Sequence, residues 1–334
     1  MNLYTTLKQL CLIPGISGRE GAVREFIKER IVGLVDSVST DALGNLIALK
    51  KGKSSERRIM LCAHMDEIGF LVNYIEDNGY VRVATIGGIH LAACDYTKVV
   101  SERGTVGVLV PEDDVKPADM KADKMYIDIG ASSRKEAERR VRIGDFFVCA
   151  PELYRLCGKR VAGRPLDDRV GCLILLELAE RLSKLEPEHD VYFVFSVQEE
   201  VGCRGSAPAT FGIEPTEAIC FDVTMTGDVP GAFKMACELG KGAAVKIKDG
   251  SVICHEAMVS AMMDIAKEYK IPAQREILVA GGTDTSSMQM TAGGAMAGAI
   301  SIPTRYIHSG VETCDMGDVE ACIALAEKYI LTRG

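Results

Sequence analysis

RIMLCAHMDEIG, residues 58–69, decides the fold. Residues 58–63 form an apolar run of a length that suits a buried strand. The run stops on His64, with Asp66 two residues on. In an open α/β sheet the carboxyl ends of the strands are where ligands bind. The same pattern recurs along the chain. VYFVFSV (191–197) runs into Glu199 and Glu200, AICF (218–221) into Asp222, and IPTRYI (302–307) into His308. RPLDDRVG (164–171) sets Asp167 and Asp168 just before an apolar helix. The chain has five histidines, and two of them fall in this set.

Outward from that strand, Leu3–Leu12 and Glu20–Val32 read as helices joined by PGISGRE (14–20), where Ser17 with Glu20 fits a capping box. A hairpin follows, VDSVSTD (35–41) and LIALKKG (46–52), about a turn at Gly44 and Asn45. From about residue 67 to 161 short strands dominate: FLVNYI, YVRVATIG, TKVVS, GTVGVLV, FFVCAP and KRVAG. Gly and Asp turns divide them, with one charged helix from Ser132 to Val141. Strands so spaced predict a small β-barrel or β-sandwich. After Arg160 the α/β pattern returns, with a helix at Val170–Leu182, then strands at Val191–Val197 and Ala218–Asp222. A helix at His255–Tyr269, a Gly-rich stretch and a last helix at Asp318–Leu331 complete it. Candidate ligands lie on both sides of the β-rich segment. Residues 67–161 therefore read as an insertion into a catalytic domain made of residues 1–66 and 162–334.

At 334 residues, 47% hydrophobic and 26% charged, the chain has the composition of an ordinary globular protein. A net charge of −8 with no basic run argues against nucleic acid as a partner. Lys51, Lys53, Arg57 and Arg58 are the densest basic cluster and read as a solvated turn. No apolar stretch approaches the roughly 20 residues that span a bilayer, so no membrane partner is expected. The N-terminus lacks the charged-then-apolar order of a signal peptide. Twelve cysteines without CxxC spacing, several inside apolar runs, read as reduced core residues of a cytoplasmic protein.

Singly, each candidate has a plain structural reading. His64 and Asp66 would close a strand end, and Asp167 and Asp168 would cap a helix and complement its dipole. Glu199 and Glu200 would be exposed loop acids, and His308 a packing residue. Together they match a two-metal hydrolase, in which two divalent ions share a carboxylate and take two or so further ligands each. Asp167 is the candidate bridge, with Asp168 supporting it. Asp66 stands where it can hold the second nitrogen of His64. Neighbouring residues of extended chain point opposite ways, so one of Glu199 and Glu200 can bind metal while the other acts as a base. Asp222 and His308 complete one ion each. Carboxylates mixed with imidazole suit Zn²⁺, Co²⁺ or Mn²⁺.

The stretches AHMDEIGF, DIGASSRKEAE, GDFFV, LDDRVGC, VQEEVGCRG, FDVTMTGDVPG and IPTRYIHSGVE resemble the M42 family of metallo-aminopeptidases over nearly the whole chain. The resemblance implies an α/β/α sandwich catalytic domain with an inserted small β-barrel, PDZ-like in type, that helps assemble homo-oligomers from dimers up to dodecamers. It assigns His64 and Asp222 to one metal, Glu200 and His308 to the other, and Asp167 to the bridge. Glu199 becomes the general base, and Asp66 orients His64. A cis peptide between Asp167 and Asp168 is also implied. Arg164-Pro165-Leu166 departs from many relatives and is expected to alter the local loop without removing a ligand. The implied activity removes N-terminal residues from short peptides, through a bridging water that Glu199 deprotonates. AGGTDTSSM (280–288), with Asp284, either lines the pocket or forms a plain turn.

Three other readings stay open. A deacylase of N-acylated amino acids or peptides needs the same metals and base. A glycosidase also uses paired carboxylates, but leaves the histidines unexplained. A non-catalytic scaffold predicts a lost ligand, and none is lost.

Overall fold

The computed structural model describes residues 1–332. An 11-stranded mixed sheet forms its centre. The middle four strands, His189–Ser196, Ser54–His64, Glu217–Thr224 and Met296–Arg305, run parallel in that order. Residues 59–64 are buried throughout, as an apolar strand covered on both faces must be. Their side chains alternate between two cores. Ile59, Leu61 and Ala63 join a cluster that the helices Leu3–Cys11, Gly21–Ile31, Arg169–Leu182, Glu256–Glu268 and Met316–Thr332 help to form. Met60 and Cys62 pack with Ala209, Ile213 and Met288, from helices Ser206–Ile213 and Asp284–Met290. This is the three-layer α/β/α sandwich that the resemblance implies.

Leu46–Lys50 and Ser37–Thr40 extend one edge of the sheet antiparallel. Glu312–Asp315, Arg160–Arg164 and Glu152–Arg155 extend the other. Ala243–Lys248 and Ala273–Ile277 branch from Met296–Arg305. Six antiparallel strands close a separate barrel in the order Gly69–Ile75, Val81–Ile86, Met125–Asp128, Val106–Pro111, Lys98–Ser101 and Phe146–Cys149. Phe70, Val83, Leu109, Ile127 and Phe147 fill it. No helix among the described residues is long and apolar enough to cross a membrane. The cysteines are free, and all but Cys157 and Cys203 are buried.

Several local expectations fail, each for a physical reason. KRVAG, read as a strand of the insert, lies in the large sheet, where Arg160–Arg164 pairs with Glu312–Asp315. The charged helix at 132–141 shrinks to Arg134–Ala137, N-capped by Ser133. Only Ala137 and Val141 of that stretch reach the barrel core, too little burial to hold a longer helix. Ser17 and Glu20 form no capping box, and the helix begins at Gly21 without a side-chain cap. Ser17 Oγ instead donates to Asp66 Oδ2 at 2.6 Å, and Glu20 Oε1 accepts the Gln198 N–H at 3.1 Å. Tertiary partners at the sheet edge outcompete the local cap. The Gly-rich stretch hides the start of the strand Met296–Arg305, ahead of IPTRYI, where small residues look turn-like although Ala297–Thr304 are all buried.

Candidate metal centre

The parallel strands bring their carboxyl ends to one place. His64 pairs with Ser196, and Asp222 lies in the adjacent strand opposite Ser301. His64 Nε2 stands 3.1 Å from Asp167 Oδ1, 3.8 Å from Asp222 Oδ1 and 4.0 Å from Glu199 Oε2. His308 Nε2 stands 3.3 Å from Asp167 Oδ2 and 3.2 Å from Glu200 Oε2. Asp167 thus turns one oxygen to each histidine. The His64 side chain is 2% exposed and that of His308 is 31%, so the cluster opens to solvent on the His308 side.

The loop carrying Asp167 has cis peptides at Arg164–Pro165 and Asp167–Asp168. Glu312, which sequence reasoning left without a role, holds it. Its Oε2 accepts the Leu166 and Asp167 N–H groups at 2.6 and 3.1 Å. Its Oε1 accepts Arg164 Nη1 at 3.1 Å and the His308 N–H at 3.4 Å. Arg164, fully buried, also donates to the Ser309 carbonyl at 2.6 Å. The capping reading of the aspartate pair applies to Asp168: Oδ1 accepts the Gly171 N–H at 3.0 Å, and Oδ2 the His64 N–H at 3.2 Å. A Cβ at residue 171 would fall 2.3 Å from Asp168 Oδ2, which accounts for the glycine.

Asp66 does more than face His64. The Nδ1 of His64 lies 3.1 Å from the Asp66 main-chain oxygen and 3.5 Å from Oδ1. The Asp66 carboxylate also takes the N–H groups of Glu199 at 3.1 Å and Glu200 at 3.2 Å. The expectation that these glutamates alternate along extended chain is not met. The strand ends at Ser196 and Gln198 has φ 57°, so both carboxylates reach the cluster from a turn. Asp284 lies beneath them, buried, and accepts Ser196 Oγ and Ser206 Oγ at 2.6 Å each. The barrel supplies one wall. A Cβ at Gly87 would lie 3.2 Å from Glu200 Oε2, and one at Gly88 would lie 3.4 Å from His308 Nδ1.

The electrostatics suit bound cations. Burial and the adjacent Asp167 charge push Glu200 up to about 7, and burial pushes Asp222 up to about 6. Burial also raises Glu199. For His308 burial favours the neutral ring, but Asp167 and Glu200 outweigh it and raise the pKa to about 11. Among the described residues no lysine or arginine forms an ion pair with Asp167, Asp222, Glu199 or Glu200. Glu200 Oε1 is buried without a hydrogen-bond partner among the described residues. His64, Asp167 and Glu200 form one group able to hold an ion, and His64, Asp168 and Asp222 another. Oxygen and imidazole donors in this arrangement fit divalent cations.

Comparison with known proteins gives one answer. The sequence profile of the family described as M42 glutamyl aminopeptidase matches residues 44–325. A lysyl aminopeptidase of Pyrococcus furiosus is 38% identical over 340 residues, covering 98% of this chain and 96% of its own. An aminopeptidase from the archaeon Desulfurococcus kamchatkensis superposes with a TM-score of 0.94 at 36% identity, covering 99% of this chain and 94% of that one. The Pyrococcus horikoshii TET1 peptidase, which can assemble into a tetrahedron or a large octahedral shell, superposes at 0.88 and 34% identity, covering 99% and 100%. With the profile spanning most of its length and relatives matching nearly end to end, the chain belongs to the M42 glutamyl aminopeptidase family of peptide hydrolases.

Proposed function

We propose that this protein is a two-metal aminopeptidase that removes N-terminal residues from short peptides. The observation that carries the reading is Asp167, whose two oxygens face His64 and His308 separately. His64 and Asp222 would hold one cation, Glu200 and His308 the other, with Asp167 shared. Zn²⁺ or Co²⁺ suits this donor set, and Mn²⁺ also fits. Two divalent cations bound there supply Lewis acidity for water activation and for polarising the scissile carbonyl. Glu199 takes the proton of the attacking water on Oε2 and returns it to the leaving amine. Asp66 keeps Glu199 and His64 in place for that transfer. In this reading residues 1–66 and 162–334 form the catalytic unit, and 67–161 the insert through which copies assemble in the cytoplasm. The shells formed by the TET1 relative support the assembly.

The test is mass spectrometry of mixed unblocked and N-acetylated peptides incubated with metal-loaded protein, beside Glu199→Gln. Stepwise trimming of unblocked peptides, absent in the variant and after chelation, is the expected result. Change confined to blocked peptides would replace this reading with the deacylase. Trimming that survives both controls would remove the mechanism.

A further inference from the structure

We infer that Cys203 positions the Glu199 carboxylate: its thiol donates to Oε1 and leaves Oε2 turned toward the histidine cluster. The inference rests on Glu199 being the general base. Cys203 Sγ lies 3.3 Å from Glu199 Oε1, and Glu199 Oε2 lies 4.0 Å from His64 Nε2. The two oxygens therefore have different partners. Among the described residues, no other side chain donates a hydrogen bond to this carboxylate.

The backbone is built to bring the thiol there. The N–H groups of Gly202 and Cys203 both donate to the Glu199 carbonyl at 2.8 Å, closing a tight turn. Cys203 adopts φ 52°, a left-handed conformation that costs a residue with a Cβ. That turn folds the Cys203 side chain back onto the glutamate four residues earlier. Burial, then the Glu199 and Asp284 charges, push the thiol pKa up, so the proton stays on sulfur and S–H is the donor. Ligand atoms of Glu199, Cys203 and Asp284 lie within 4.8 Å of one another. Without the thiol, Glu199 keeps Asp284 as a repelling neighbour and loses the group that fixes its rotamer. Misplacing a base by a fraction of an ångström slows proton transfer without weakening substrate binding.

The experiment compares the metal-loaded full chain with Cys203→Ala, Cys203→Ser, Glu199→Gln and the Glu199→Gln/Cys203→Ala double variant. Cys203→Ala is expected to lower kcat about 10-fold while KM stays within about 2-fold. Cys203→Ser, which keeps a donor, recovers most of the loss. Metal content by mass spectrometry and the melting temperature stay at wild-type values in both. On the slow residual rate of Glu199→Gln, followed at high enzyme concentration below the detection of the peptide-pool assay, the second change has no further effect, the sign of two residues acting as one unit. Wild-type kcat in Cys203→Ala overturns the proposal, as does equal loss in Ala and Ser, lost metal, or an undiminished effect beside Glu199→Gln. Full activity of Glu199→Gln overturns the base reading and the Cys203 role with it. An inactive Glu199→Gln beside a fully active Cys203→Ala overturns the Cys203 role alone. If Cys203→Ala does not fold, Cys203→Gly, suited to the positive φ, serves as the variant without a donor.

Discussion

Asp66 holds the backbone of Glu199: its Oδ1 accepts the Glu199 N–H at 3.1 Å. Its Oδ2 does the same for Glu200 at 3.2 Å and takes the Ser17 hydroxyl at 2.6 Å. One buried carboxylate therefore sets two glutamates, with His64 Nδ1 3.5 Å away. Asp66→Asn turns one acceptor oxygen into a donor amide facing an N–H. Hydrogen bonds to a charged group contribute about 1.5–3 kcal/mol each, so a loss of roughly 2–5 kcal/mol in stability is expected. Metal affinity should fall about 10–100-fold, as for other residues that orient ligands. Urea unfolding and metal titration measure the two effects.

Glu312 is the counter-charge of buried Arg164, and it carries the amides of Leu166 and Asp167. Glu312→Gln leaves the guanidinium buried without its anion. A destabilisation of about 3–5 kcal/mol is expected, read from the denaturant midpoint. An unchanged midpoint would mean that Arg164 is neutralised elsewhere.

Gly87 and Gly104 separate backbone strain from crowding at the site. Both have positive φ, at 77° and 80°. An added Cβ meets nothing within 4 Å at residue 104, but at 87 it meets Ile68 Cγ2 at 2.6 Å and Glu200 Cβ at 3.2 Å. Gly104→Ala should show the conformational penalty alone, about 1–2 kcal/mol. Gly87→Ala should lose about 1–3 kcal/mol and also weaken metal binding through Glu200. Equal effects of the two changes on metal affinity would contradict the contact.

Chelation should destabilise the protein more at about pH 8 than at about pH 5. In the absence of cations burial sets Glu200 at about 7 and Asp222 at about 6, against ordinary values of 4.5 and 3.8. Acids raised in this way stabilise the fold below their ordinary values and lose that contribution as pH climbs through 6 to 7. His308, raised to about 11 once Asp167 and Glu200 outweigh burial, shifts stability in the same direction. Thermal scans of chelated protein across this range check the sign. A midpoint that rises with pH would refute it.

The site was legible where an apolar strand stops on a charged residue. His64, Asp222 and the Glu199–Glu200 pair all follow runs too apolar for an exposed strand, and the structure brings them together. Asp167 and Asp168 were legible as a pair but not in their division of labour. Only the fold decides which of them meets the Gly171 N–H. Glu312 was hidden differently. It lies in VETC, where one acid among apolar neighbours hints at a buried role, but its partners Leu166 and Asp167 are more than 140 residues away. The first part of the strand Met296–Arg305 escaped, although its end was read in IPTRYI, because Ala and Gly fit a crowded sheet interior as readily as a loop. Ser17 and Glu20 misled because a local motif describes only local partners: Ser17 turns to Asp66, and Glu20 takes the Gln198 N–H beside that of Gly18.

His90 donates its N–H to the His308 carbonyl at 3.0 Å, and Gly310 donates to the Ala93 carbonyl at 3.2 Å. These two main-chain bonds clasp the barrel to the loop that carries a candidate ligand. A clasp of this kind depends on peptide groups rather than on side chains, so substitutions at most positions on either side leave it closed. Spacing is another matter. Deleting a single residue between Gly88 and Ala93 would pull the donors out of step with their acceptors. The barrel can therefore diversify its outer surface freely while its length at this corner stays fixed.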